Sequence, residues 1–288
     1  MKSILITGGT GSFGQAFVRH LLEASDYERI CIYSRGEHIQ AKMGEELGNN
    51  SRLRFFIGDV RDRWRLTRAC YNVETVVHTA ALKRIEVGFY NPTEMVRTNI
   101  EGAINVVEAA RDAGVAKVVA LSTDKAYQPI SPYGQSKALA ERIFLAANDG
   151  HGPTFAVTRY GNVWNSAGSV YPTWRRILAS GATSVPVTDP GCTRFFMYMR
   201  EAVDLVQRAI ESMRGGETFI PTLPAYRLGA LVEAMGGVPM IIGLPEWEKQ
   251  HESMGSRNSS EHAQRLTVNE LRDIIWLTKT AEKTNELL

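Results

Sequence analysis

The segment Ser122-Thr123-Asp124-Lys125, with Tyr133 eight residues past the lysine and Lys137 four further on, gathers hydroxyl, carboxyl, amine and phenol groups in a short span. Tyr133 and Lys137 are spaced i, i+4, so on a helix they share one face, where an ammonium favours the phenolate and makes Tyr133 a usable base. Such a base can accept the proton of a sugar hydroxyl as its carbon is oxidised. Asp124 and Lys125 supply a further acid and base that oxidation alone does not need. They follow the apolar run Val118-Val119-Ala120-Leu121, which reads as a buried strand whose carboxyl end opens into a binding crevice. Taken singly, the same residues also fit a turn with a local ion pair, or an ordinary amphipathic helix starting after Pro132.

Positioning these groups requires a scaffold, and the first half of the chain supplies a regular one. Apolar runs at Ser3 to Thr7, Arg29 to Tyr33, Leu53 to Ile57, Thr75 to His78, Lys117 to Leu121 and Thr154 to Arg159 alternate with helical patterns. That rhythm predicts βαβ units, and hence an α/β fold with a Rossmann-type doubly wound parallel sheet. Helices are expected at Gly14 to Ala24 and Pro92 to Ala113, the second with Ile100, Ile104, Val107 and Ala110 as its apolar stripe and Gly114 as its stop. The domain reading is a nucleotide-binding domain over 1–163 and a smaller, discontinuous substrate lobe over 164–288. A segment near 185–212 should return to the first domain, with a helix around Met197 to Ser212. Glu252 to Ala263, rich in Ser, Asn and Glu, reads as an exposed mobile loop before a last helix near Val268 to Leu277.

Composition narrows the partners. At 288 residues and 44% hydrophobic the chain can bury one sizeable core with a lobe beside it. Thirty-three basic against 31 acidic residues leave a net charge of +2, too weak to argue for nucleic acid or an anionic membrane. An apolar strand directly at the N-terminus, without a basic leader, and no stretch long enough to span a bilayer make cytoplasmic residence the expectation. Cys31, Cys70 and Cys192 lack metal-ligand spacing and are odd in number, so neither a disulfide framework nor a metal site is expected.

Thr7-Gly8-Gly9-Thr10-Gly11-Ser12-Phe13-Gly14 puts glycines at 8, 11 and 14 between the first strand and the first helix. Glycine permits the tight turn and the close backbone approach, and the helix N-terminus offers free N–H groups to a pyrophosphate. The second strand ends Tyr33-Ser34-Arg35. A hydroxyl and a guanidinium suit a 2′-phosphate, which favours NADP over NAD, while Glu37 nearby would meet an unphosphorylated ribose. Asp59 and Val60 follow the third strand beside the expected adenine, although Asp59 also suits a helix N-cap.

Together these segments resemble the extended short-chain dehydrogenase/reductases, and more closely the inverting UDP-N-acetylglucosamine 4,6-dehydratases of pseudaminic acid and capsular sugar pathways. The resemblance runs through Ile4 to Gly14, Tyr33-Ser34-Arg35, Arg54 to Asp62, Ala80-Ala81-Leu82-Lys83, Leu121 to Ala126 and Arg159-Tyr160-Gly161-Asn162-Val163, covering most of residues 1–220. It implies a tightly bound NADP, recycled within each turnover, that lies against Gly8, Thr10, Gly11, Ser12, Phe13, Gly14, Ser34, Arg35, Asp59, Val60, Ala80, Lys83, Leu121, Ser122, Tyr133, Lys137 and Val163. It implies a UDP-N-acetylhexosamine held by Lys83, Asn162, Ser169, Val170, Thr193, Arg194, Glu248 and Lys249, with Arg194 on the diphosphate. Tyr133 would take the C4 hydroxyl proton with Thr123 steadying that oxygen, Lys125 would remove the C5 hydrogen, and Asp124 would protonate the departing C6 oxygen. A lysine base must shed its proton near neutrality, which burial and the neighbouring cations Lys137 and Lys83 would promote. The resemblance also implies a homo-oligomer. His251-Glu252 echoes the family's closing Lys-x-His-Glu element, whereas Tyr127, Trp164-Asn165 and Glu246-Trp247 depart from the pattern and leave the sugar open. A nucleotide-sugar 4-epimerase, needing oxidation and re-reduction at C4 without Asp124-Lys125, and an NADP-binding sensor, needing neither Tyr133 nor Lys137, are the rival readings.

Overall fold

Continuous apolar runs such as Ile4-Leu5-Ile6, Ile30-Cys31-Ile32 and Val118-Val119 are fully buried, as strands covered by helices on both faces must be. In the computed structural model, which describes residues 2–284, they build a parallel sheet. Its strands are β1 (Ser3–Thr7), β2 (Arg29–Ser34), β3 (Leu53–Ile57), β4 (Thr75–His78), β5 (Lys117–Thr123) and β6 (Thr154–Tyr160), with Thr218–Phe219 as a short seventh. The order β3-β2-β1-β4-β5-β6 reverses direction between β1 and β4, so a crevice opens past their carboxyl ends. His78 fastens that seam: its Nδ1 lies 2.7 Å from the Thr7 hydroxyl. Burial, with Lys137 adding, pushes the His78 ring down to about 3.

The helical stretch after β4 is less uniform than its sequence pattern. It divides into Ile85–Tyr90, Pro92–Met95, a π-turn over Val96–Glu101 and an α-helix over Gly102–Ala113, which Gly114 stops in the left-handed conformation at φ 69°. The wide turn resets the helical phase. Ala103, Val106, Val107 and Ala110 face the core, and Ile104, expected in the buried stripe, is 45% exposed.

Of the segment expected to return near 185–212, Ser184–Val187 stays in the lobe, paired in parallel with Val238–Ile241. Met199–Ser212 packs against the sheet and the helix Ser12–Ala24 through Ala202, Val203, Val206 and Ala209. A separate core of Trp164, Tyr171, Trp174, Val185, Val187, Phe196, Leu231 and Ile274 centres the lobe. The last helix runs Val268–Thr284, past the expected Leu277; residues 285–288 of the lobe lie outside the described residues.

One expectation is overturned. Glu252 to Ala263 is a packed hairpin, not an exposed mobile loop: Ser253–Gly255 pairs antiparallel with Asn258–Ser259, and Glu252, Met254 and Ser260 are 2%, 0% and 0% exposed. Its polar residues are consumed internally, since Ser260 Oγ accepts from Glu252 N at 2.9 Å and shares a proton with Thr193 Oγ1 at 2.7 Å. Polarity here marks a hydrogen-bonded wall.

Gly134 sets the tightest approach between elements at the end of β5. A Cβ there would lie 2.3 Å from the Lys125 carbonyl oxygen. Gly134→Ala must displace the helix Pro132–Ala146 from the 3₁₀ turn Asp124–Ala126, with an expected loss of about 1–3 kcal/mol in urea unfolding, as overpacking commonly costs.

Candidate active site

Strand β5 delivers Ser122 and Thr123, and the 3₁₀ turn Asp124–Ala126 carries the next pair. Opposite, the helix Pro132–Ala146 begins with Ser131 as N-cap, its hydroxyl accepting from Gly134 N at 3.1 Å, and Pro132 in its first turn. That start puts Tyr133, Lys137 and Glu141 on one helical face toward β5. The Thr123 hydroxyl bonds Tyr133 and donates to Asp124 Oδ1 at 2.9 Å. Lys125 Nζ lies 3.1 Å from the same Asp124 oxygen, 3.1 Å from Glu252 Oε1 and 3.4 Å from Asn162 Oδ1. Thr123, Asp124, Lys125, Tyr133 and Asn162 thus converge.

Their electrostatics differ from the sequence expectation in two respects. Lys137 Nζ donates to the Leu121 carbonyl at 2.7 Å, and burial pushes this amine down to about 8 against the pull of Glu141. The cation that favours the Tyr133 phenolate is Lys125 instead; burial still dominates and pushes the phenol up to about 12. Nor do neighbouring cations strip Lys125 of its proton. Burial alone would lower it, but the carboxylates of Asp124 and Glu252 overcome burial and hold the ammonium well above the usual lysine range, with Arg194 opposing. Exposed Lys83 is no part of this arrangement. Asp124, fully buried, is raised above the usual carboxylate range by burial against the pull of Lys125, and its Oδ2 has no hydrogen-bond partner.

The remaining expected substrate residues divide by position. A cavity of about 300 Å³ opens beside Lys125 and is lined by Val170, Trp174, Arg194, Trp247, Glu248, Lys249 and Glu252. Arg194, 4% exposed, already forms an ion pair with Glu248 and donates to the carbonyls of Thr193 and Gln250. Lys249 Nζ donates to Tyr127 O at 2.6 Å. Thr193 is turned away, its hydroxyl bonded to His251 Nδ1 and Ser260. Ser169 precedes the helix Val170–Ala179, with its hydroxyl buried and unpartnered. Among the departures, Trp164 stacks on Tyr171 at 4.4 Å and donates to Thr278, so it serves the lobe core, while Trp247 lines the cavity and meets Phe89 at 5.8 Å.

On the cofactor side the glycine turn fits a dinucleotide. Gly8 adopts φ 66°, and a Cβ there would lie 2.8 Å from the Ala80 backbone; at Gly14 it would lie 2.5 Å from Gly9 Cα. Gly11 caps the helix Ser12–Ala24 without a side-chain bond, leaving its first N–H groups for a phosphate. Thr10 is tied through its carbonyl to Gln15, and Phe13 stacks on Phe17, so both would act through backbone. Ser34 is buried with its hydroxyl accepting from Gln40, and Arg35 stands out with a 62% exposed side chain, 3.9 Å from Asp59. Asp59 is bound by Arg61, and Asp62 is the residue that caps the following helix. Val60 packs in the core, and Val163 bridges to Met197 at the entrance to the lobe. Among the described residues no group of His, Cys, Asp and Glu is arranged to hold a metal, and no helix is long and apolar enough to cross a membrane.

Sequence reasoning missed three residues. Glu141 is bonded by Ser122 Oγ and by both Arg159 Nε and Nη2, and Arg159 Nη1 donates to Met254 O at 2.7 Å. The i+8 spacing of Glu141 from Tyr133 was the available signal. Glu252 was the third, its partner set invisible until the hairpin is folded. Glu141→Ala leaves the Arg159 guanidinium, its side chain only 14% exposed, without its carboxylate, and urea unfolding should register a loss of about 3–5 kcal/mol.

The family model described as polysaccharide biosynthesis protein matches residues 4–271. A UDP-N-acetylglucosamine 4,6-dehydratase (inverting) of Campylobacter jejuni (strain 81-176) is 45% identical over 264 residues, covering 90% of this chain and 79% of the relative. A UDP-glucose 4-epimerase of Rickettsia prowazekii is 39% identical over 277 residues, covering 92% and 81%. Among solved structures, Pen from Bacillus thuringiensis superposes with a TM-score of 0.89 at 31% identity, over 96% of this chain and 98% of that one.

Proposed function

The chain belongs to the polysaccharide biosynthesis protein family matched over residues 4–271, and from that premise we propose that it is an NADP-dependent UDP-N-acetylglucosamine 4,6-dehydratase that inverts C5. The observation that carries this reading is the buried acid and amine, Asp124 and Lys125, 3.1 Å apart and joined through Thr123 to the redox tyrosine. Loss of water across C5 and C6 needs one group to remove a proton and another to deliver one; re-reduction at C4 needs neither.

Each residue then has a task. Thr123 orients the C4 oxygen and Tyr133 takes its proton, with Lys125 near enough to ease the phenolate. Lys137, anchored on the Leu121 carbonyl, steadies the cofactor ribose beside Tyr133. The bound nicotinamide supplies hydride acceptance from C4 and hydride return to C6. The C4 ketone acidifies the C5 hydrogen, which Lys125 removes. Asp124, whose burial favours the protonated carboxyl, protonates the leaving C6 oxygen. Replacement of the C5 proton from the opposite face inverts that carbon. Arg194 and Lys249 face the nucleotide diphosphate in the cavity, and Trp247 offers the base a flat surface. Exposed Arg35, 3.9 Å from Asp59, supports NADP, because a guanidinium can hold a 2′-phosphate bidentately. A homo-oligomer in the cytoplasm, independent of nucleic acid and membrane, completes the reading.

The relative named UDP-glucose 4-epimerase keeps epimerisation as the second reading. Incubation with UDP-N-acetylglucosamine in heavy water separates the two by mass spectrometry and proton NMR. The expected product has lost water and carries deuterium at C5; a C4 epimer with no loss of water would refute the dehydratase. Lys125→Ala should abolish C5 exchange, and retained exchange would remove Lys125 from the base role. Replacing Ser34 and Arg35 together by Ala should weaken NADP binding more than NAD binding in calorimetric titration, whereas equal losses would contradict the phosphate assignment.

A further inference from the structure

Ile130 stands just ahead of the Tyr133 helix with 45% of its surface exposed, and it lines the cavity beside Lys125. Ile85, the first residue of the helix Ile85–Tyr90, lines the same cavity. Two aliphatic side chains therefore face a space that also carries Lys125, Arg194, Glu248, Lys249 and Glu252. Neither has a task in the chemistry above. Ser131 adds no free hydroxyl beside them, because its oxygen already accepts from Gly134 N at 3.1 Å, and Glu86 stands exposed at the edge.

The fold holds this apolar corner in place from two sides. A Cβ at Gly88 would lie 2.8 Å from Met95 Cε and 3.4 Å from Pro132 Cβ, so the helix Ile85–Tyr90 is pressed onto the start of the Tyr133 helix. Further along the same helix, Phe89 meets Trp247 of the lobe at 5.8 Å. The substrate's own ring then says which part of it reaches the corner. With C4 at Tyr133 and C5 at Lys125, C1 lies across the ring from C4 and carries the diphosphate toward Arg194 and Lys249. C2 lies across the ring from C5 and points away from Lys125. Its substituent, the acylamino group, bears the one methyl group of the substrate, and the wall left for it is the apolar one.

We propose that Ile85 and Ile130 form the pocket for the acyl group on C2, and that Ile130 sets the preference for an N-acetyl sugar over one with a hydroxyl there. This rests on the dehydratase reading, which places C4 and C5. An acyl methyl entering the corner leaves water for aliphatic contact on two sides, which is favourable. A hydroxyl at the same carbon gives up water and finds no partner on either isoleucine, which costs affinity. The corner thus separates UDP-N-acetylglucosamine from UDP-glucose without touching the reacting atoms.

Binding is measured by calorimetric titration of the NADP-loaded protein carrying Tyr133→Phe, which halts oxidation at C4 and leaves each sugar intact. UDP-N-acetylglucosamine should bind about tenfold more tightly than UDP-glucose, the lower end of what one apolar group supplies in a matched pocket. Adding Ile130→Ala should bring the two sugars within about twofold of each other, while UDP alone binds both proteins alike. The space vacated by the side chain admits a longer acyl chain. UDP-N-propanoylglucosamine should therefore bind more tightly than the N-acetyl sugar to I130A, and less tightly to the parent. Ile85→Ala gives the same comparison should I130A fail to fold by circular dichroism. An unchanged preference in I130A overturns the inference, and so does a loss of UDP affinity equal to the loss for the N-acetyl sugar, which puts Ile130 on the nucleotide. If the preference is lost as expected but the heavy-water assay returns only a C4 epimer, the dehydratase reading falls and the acyl pocket stands. A wild-type protein that does not bind UDP-N-acetylglucosamine overturns both.

Discussion

The buried contact between Arg159 at the end of β6 and Glu141 on the helix Pro132–Ala146 ties together every part of the site. Glu141 also receives the Ser122 hydroxyl from β5, and Arg159 reaches past it to the Met254 carbonyl of the lobe hairpin. A charged pair removed from water is favourable only when its remaining hydrogen-bonding capacity is met, and here the Ser122 hydroxyl and the Met254 carbonyl meet it. The orientation of Tyr133 and Lys137 follows from the same helix face, and Glu252, two residues before Met254, follows from the same grip. The tyrosine side and the lysine side of the cavity therefore share one anchor.

Much of the scaffold was legible in the sequence because the physics is local and repetitive. Strands such as Ile4-Leu5-Ile6 and Val118-Val119 are buried on both faces and read as continuous apolar runs, and a glycine turn between strand and helix has few other uses. Gly114 could be named as a helix stop because only a left-handed conformation satisfies that end. Ile104 could not be placed correctly, because the π-turn at Val96–Glu101 changes the helical phase and leaves no compositional trace.

Within the site, Thr123, Asp124, Lys125 and Tyr133 were readable from spacing, and their protonation was not. Charges on Lys125 and Tyr133 depend on which groups arrive from elsewhere in the chain: Glu252 and Arg194 raise and oppose the Lys125 proton, and Lys125, not Lys137, faces the phenol. Glu252 belongs to a stretch whose Ser, Asn and Glu content signals solvent. Those polar atoms bond to one another and to Thr193 instead, which no single-residue property reveals. The tryptophans show the same limit in reverse: Trp164 fills the lobe core and Trp247 faces the cavity, though both departed equally from the expected pattern.

The hairpin that carries Glu252 has a consequence for the order in which the protein is made. During synthesis the glycine turn, the first six strands and the Tyr133 helix leave the ribosome first, and early segments fold as they emerge. The carboxylate beside Lys125 arrives only after all of these, and the Arg159 grip on Met254 closes at the same moment. A nascent chain thus assembles the glycine turn and the Tyr133 helix while the carboxylate wall beside Lys125 is still absent.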